Sequence, residues 1–194
     1  MDLKDVLHQQ LQNQRAALRL KLEGLSEREA RMPRTPTGTN LLGLLKHVAC
    51  CEAGYFGEVF GRPIAIPMPW EAPGATEDDG LDMFATEGET MAEVLDFTER
   101  CFAHADATIE ALPIDAPGTV PWWSEAKRSV TLGRILVHMA TEEARHAGHA
   151  DILRELHDGE AGLVADDPNL GTWDALAWAS YRERLQRIAE SLTE

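Results

Sequence analysis

The sequence predicts an all-α fold, a helical bundle whose helices are joined by long irregular loops. Three observations predict it. Apolar residues recur three and four apart over long stretches, the spacing that lines one face of a helix. No stretch alternates apolar and polar residues as a half-buried strand does. Segments rich in proline and glycine separate the periodic stretches. With 194 residues, 44% of them hydrophobic, residues 1–194 suffice for one domain with a sizeable core.

The first helix is expected over residues 2–23. Val6, Leu7, Leu11, Leu18, Leu22 and Leu25 give its apolar side, with glutamine, arginine and lysine on the other. Ser26-Glu-Arg-Glu29 is a capping-box pattern opening a short turn of helix before Pro33. A second long helix starts at Thr39 or Asn40 and runs to about Phe60, with Leu41, Leu44, Leu45, Val48, Tyr55 and Val59 inward and His47, Cys51 and Glu58 along one margin. Residues 61–87 cannot form a continuous helix, and an irregular connection of that length is often functional. Trp70 within it either lines a pocket or packs over one end of the core, and the acidic run Glu77-Asp78-Asp79 is read as solvated. A third long helix covers about Thr90 to Leu112, stopped by Pro113, with His104 at the surface. Residues 113–130 are irregular and carry Trp122 and Trp123. A last helix from about Thr172 to Leu192 bears Trp173, Leu176, Tyr181, Leu185 and Ile188; it either completes the core or makes the surface of a homodimer.

Composition excludes several functions. A net charge of −15 argues against nucleic acid and against an anionic membrane surface, since both need a basic face. No apolar run approaches the ~18–20 residues of a membrane span, and the polar N-terminus MDLKDVLHQQLQNQ is no signal peptide. A cytoplasmic location is expected. Cys50, Cys51 and Cys101 have no metal or redox spacing and are read as small, reduced core residues.

The chemistry concentrates in Thr131–Leu156. Thr131 can cap this helix and Gly159 can stop it. At about 100° per residue, Ile135, His138, Glu142, Arg145, His146, His149, Ile152, Leu153 and Leu156 share one arc, which is taken as the buried face. Burying its polar groups without partners costs roughly 1–3 kcal/mol each, so a metal ion or a polar network must satisfy them. Glu142 and His146 stand one turn apart; His138 precedes and His149 follows. With His47 they offer two histidines and a carboxylate, a recurrent arrangement for catalytic zinc or iron, although other triples including His138 or His149 have equally good spacing. Glu143-Ala-Arg-His146 matches the ExxH of di-iron bundles, but no second ExxH accompanies it. There is no HExxH, no phosphate-binding glycine loop and no GxSxG.

The segments PTGTNLLGLLKHV (36–48) and ILVHMATEEARHAGHADILRE (135–155) resemble the two motif regions of the DinB-like superfamily, in particular its branch related to mycothiol-dependent maleylpyruvate isomerase. The resemblance spans residues 1–158. It implies a four-helix bundle of up-down-down-up topology, here with an extra C-terminal helix, and one divalent metal, zinc or nickel. It assigns the ligands to His47, Glu142 and His146, with glutamate in the middle as in the isomerase branch. Arg145 and His149 also match motif letters and are candidate substrate-binding residues. The isomerase's further C-terminal domain is not in this sequence, which favours the stand-alone thiol S-transferases. The expected activity joins mycothiol, or a similar small thiol, to an electrophile, because an open metal position can take a thiol sulfur and favour the thiolate. Metal-assisted hydrolysis and non-catalytic metal or ligand binding in a stress response are the alternatives.

Overall fold

Each helix begins where a side chain can satisfy its free N–H groups. The computed structural model describes residues 2–76, 79–165, 167–170 and 173–192; Glu77 and Asp78 of the acidic run, and the expected helix start at Thr172, lie outside them. Helix α1 (Leu3–Leu20) is capped by Asp2 and short α2 (Glu27–Arg31) by the Ser26–Glu29 capping box. Asn40 caps α3 (Leu41–Glu52), which continues through a π turn at Ala53–Gly57 and a 3-10 turn at Glu58–Phe60. Thr90 caps α4 (Met91–Ala111) and Asp174 caps α6 (Ala175–Glu190). Thr131 caps α5 (Leu132–Asp158), which Gly159 ends in the left-handed conformation. The 61–87 connection is irregular apart from one 3-10 turn at Pro69–Glu71.

Helices α1, α3, α4 and α5 form the bundle, and contacts between them give their directions. Lys4 of α1 donates to Ile109 and Leu112 while Arg19 pairs with Glu99, so α1 and α4 are antiparallel. Arg62, just past α3, bonds Thr108, while Lys46 reaches Glu89 just before α4; these two helices run together. His47 meets His146 and Tyr55 meets His138, so α3 opposes α5. The topology is up-down-down-up.

The core has two apolar halves. Leu18, Leu22, Leu45, Val48, Phe102 and Leu153 belong to one; Leu11, Phe56, Ile109, Leu132, Ile135 and Met139 belong to the other. Between them lies a charged layer that hydrophobic periodicity did not reveal. Arg15 is buried there, not solvated as expected. Its Nε and Nη2 donate to the two oxygens of Glu52 at 2.6 and 2.5 Å, Nη1 donates to Asp106 at 2.7 Å, and the guanidinium lies 4.8 Å from the Phe102 ring centre. Glu143 is fully buried beside Glu52, and neither of its oxygens meets a donor. Burial and the neighbouring carboxylate push Glu143 well above the usual carboxyl range. Two carboxyls buried together disfavour a second negative charge there, and the one that faces Arg15 is Glu52.

Three expectations need correction, and one alternative is decided. The buried face of α5 runs through Leu132, Leu136, Met139, Glu143, Ala147, Ala150 and Arg154, a stripe turned by roughly 100° from the expected one. Ile135 and Leu153 lie on both, but Ile152 and Leu156 face solvent at 57% and 74% exposure. The Arg15–Glu52–Glu143 layer holds this rotation. The segment 113–130 forms a hairpin rather than an irregular loop: β1 (Pro117–Thr119) pairs antiparallel with β2 (Ser129–Thr131). His104 is half-buried and bonds the Arg62 carbonyl through Nε2 at 2.7 Å. Of the two roles left open for the last helix, α6 does not take that of completing the core. No residue of it is buried, and Leu176, Tyr181, Leu185 and Ile188 are exposed.

Replacing Arg15 with Ala leaves a buried carboxylate without its cation, and a loss of about 3–5 kcal/mol is expected in urea unfolding. Removing residues 171–194 should leave the unfolding midpoint of the bundle where it was. A lowered midpoint would mean that α6 shields the bundle after all.

Candidate metal centre

The rotation of α5 sets this site. With Glu143 directed into the charged layer, the preceding Glu142 and the following His146 fall on the flank of the buried stripe, both half-buried. Helix α3 brings His47 to meet them. Ligand atoms of His47, Glu142 and His146 all lie within 4.8 Å of one another. Glu142 Oε1 stands 3.0 Å from His146 Nε2 and 3.8 Å from His47 Nε2, and the two imidazoles meet edge to face at 4.9 Å. Donors held about 2.0–2.1 Å from a tetrahedral zinc ion stand about 3.3 Å apart, so these separations bracket what one ion requires. Two nitrogens and a carboxylate oxygen also match the donors that a divalent ion of this kind takes.

A residue absent from the sequence reading completes the geometry. Asp82 Oδ2 is 2.7 Å from His47 Nδ1, which leaves Nε2 to face Glu142. A carboxylate on the far nitrogen is the usual way in which a ligating histidine is oriented. The chain reaches this position because of Gly43, one turn before His47. A Cβ at Gly43 would stand 1.8 Å from the Met83 carbonyl oxygen, so only glycine admits the 82–84 strap this close. Asn40 Nδ2 donates to the same carbonyl at 3.2 Å and Lys46 Nζ to that of Phe84 at 3.0 Å. The asparagine–glycine–lysine spacing around His47 was the one available signal. It named no partner, because the strap lies about 40 residues further along the chain.

Charge follows the same geometry. Burial opposes a charge on His47, but the hydrogen bond to Asp82, with Cys51 alongside, outweighs it and raises the imidazole to about 10. Burial and the charge of His47 push His146 down. Burial also works against the Glu142 charge, yet the hydrogen bond with His146 and the surrounding imidazoles hold this carboxyl below its usual range. A cation here displaces the His47 proton as it binds.

The other candidates are placed apart. His138 packs edge-on against Tyr55 and Trp123, at 4.8 and 5.1 Å between ring centres, and is not in the three-residue cluster. His149 is exposed with its ring 5.4 Å from that of His146, and Arg145 is exposed on the outer face of α5. Glu143 of the ExxH points away from His146's cluster into the charged layer, so that motif does not act as a unit. Beside the cluster opens a pocket of about 360 Å³, where Cys51 and Asp82 meet Tyr55, Trp70 and Trp122. Both Trp122 and Trp123 donate their indole N–H to the Tyr55 hydroxyl, at 3.2 and 3.1 Å.

The family model described as mycothiol-S-transferase matches residues 6–159, from within α1 to the end of α5. The chain belongs to that family. No curated protein matches it. Among the described residues no helix is long and apolar enough to cross a membrane.

Zinc titration by calorimetry tests the centre. His47→Ala and Glu142→Ala should abolish stoichiometric binding, and Asp82→Asn should weaken it about 10–100-fold. Gly43→Ala, which touches no ligand, should weaken it in the same direction by displacing Asp82. Unchanged binding in His47→Ala would remove this cluster as the metal site.

Proposed function

We propose that this member of the mycothiol-S-transferase family is a metal-dependent enzyme that transfers mycothiol, or a similar small thiol, to an electrophilic carbon. In this reading His47, Glu142 and His146 hold one divalent cation, zinc first and nickel second. The observation that carries it is the convergence of those three half-buried donors, with His47 in contact with Asp82 and Cys51 of the pocket lining.

The chemical need is plain. A free thiol has a pKa of about 8.5 and is mostly protonated at neutral pH, whereas the thiolate is the nucleophile. When bound, the cation supplies a Lewis acid that favours the thiolate. The residues around it do the rest. Asp82 keeps His47 in the tautomer that presents Nε2. Arg145 and His149, on the exposed flank beyond His146, are assigned to substrate contact. Tyr55, Trp70 and Trp122 exclude water from one side and align the second substrate. The carbon–sulfur bond forms as the bond to the leaving group breaks, the leaving group taking the electron pair and the thiol proton passing to solvent. Two of the chain's own cysteines are unsuited as nucleophiles. Cys50 and Cys101 are buried, and burial pushes both thiols up, Cys101 to about 12. A cytoplasmic location fits these free cysteines, and the uncovered apolar side of α6 is the surface offered for a homodimer.

The test is conjugation of mycothiol to monochlorobimane by the zinc-loaded protein, followed by fluorescence. Turnover above the uncatalysed rate is expected, falling to that rate in His47→Ala and Glu142→Ala, with Arg145→Ala raising KM. No conjugate with any of several electrophiles would overturn the reading, and turnover of a substrate without thiol would replace it with hydrolysis.

A further inference from the structure

We infer that the pocket beside the centre is the electrophile subsite, and that it takes a flat, apolar organic electrophile bearing no negative charge. The word electrophile rests on the transferase reading; the exclusion of anions rests on the lining alone. At about 360 Å³ the pocket lies near the small end of sites for small organic molecules. Its walls are aromatic. Tyr55 and Trp122 meet edge to face at 5.1 Å, and the indole N–H of Trp122 is taken up by the Tyr55 hydroxyl. The ring faces offer a ligand carbon, and the one polar contact left on this wall is the O–H of Tyr55, which accepts from both indoles. Trp70 and Trp122 are 44% and 49% exposed, large aromatic surfaces that a flat ligand would cover.

The charged groups of the lining all have one sign. Glu58 and Asp82 contribute carboxylates, and among the described residues no lysine or arginine lines the pocket. A second pocket of about 320 Å³ adjoins it. It shares Gly54, Glu58 and Trp70 with the first, adds Glu71, and again has no lysine or arginine in its lining. Arg134 stacks on Trp123, 5.2 Å from its ring centre, and reaches neither lining. Asp82 is paired with His47, so the carboxylate that both pockets present to a ligand is Glu58, and a carboxylate-bearing ligand meets that charge and the negative faces of aromatic rings. A neutral or cationic one does not.

Binding of unreactive isosteres separates this inference from the activity. Calorimetry would compare 1,3-dinitrobenzene with 3,5-dinitrobenzoate on the full chain, with and without zinc. The neutral compound should bind at least about tenfold more tightly. Trp70→Ala should weaken the neutral compound, and exposed Glu58, changed to Gln and to Lys, should narrow and then close the gap. Transfer assays with 1-chloro-2,4-dinitrobenzene and 4-chloro-3,5-dinitrobenzoate, each divided by its uncatalysed rate, should show the same order. There chloride leaves with the bonding pair as the carbon–sulfur bond forms, and the thiol proton goes to buffer. Equal binding of the two isosteres, or a gap that Glu58→Lys leaves unmoved, would overturn the inference even if transfer occurs. A charge preference in binding without any transfer would uphold the pocket's selectivity and overturn the transferase reading.

Discussion

The structure depends on a charge buried at the middle of its bundle. Arg15 lies between Glu52 and Asp106 with almost no exposure, and Glu143 stands against Glu52. Taking such groups out of water costs several kcal/mol per ion. The cost is met only if each helix presents its member of the set at one height and one rotation. A bundle of aliphatic side chains alone can slide or turn by a fraction of a residue with modest loss. This layer cannot, because a misplaced helix would strand a carboxylate or a guanidinium in an apolar interior.

The candidate centre is a by-product of that constraint. Glu143 turned inward places Glu142 and His146 at the border of α5, where their polar atoms can reach both the protein and solvent. Helix α3 contributes Glu52 to the layer and His47 to the centre five residues earlier, so one rotation of α3 serves both. Tyr55 lies within the π turn at Ala53–Gly57 and gathers the two tryptophans of the hairpin. Rigid core and open site are thus joined by adjacent residues on two helices.

Much of this was legible in the chain. Caps at Ser26, Asn40, Thr90 and Thr131 and the stop at Gly159 are local features, and local hydrogen bonds decide them. Spacing brought Glu142 and His146 together, since residues four apart on a helix always meet. The three-residue set with His47 came from resemblance, because spacing left His138 and His149 equally eligible. Asp82 was invisible, as its role exists only through the close approach of a distant strap at Gly43. The inward face of α5 was misjudged because a stripe of histidines between aliphatic ends has the same periodicity as a core.

By itself, then, the sequence determined where helices begin and end, that they form an all-α bundle, and that a polar cluster sits on α5. These follow from interactions within a few residues of one another. Only the tertiary structure decided which side of α5 faces inward, that His138 and His149 both stay outside the cluster, what orients His47, and that α6 lies uncovered. Each of those depends on groups tens of residues apart satisfying one another's charge and shape, and no local pattern encodes such a match.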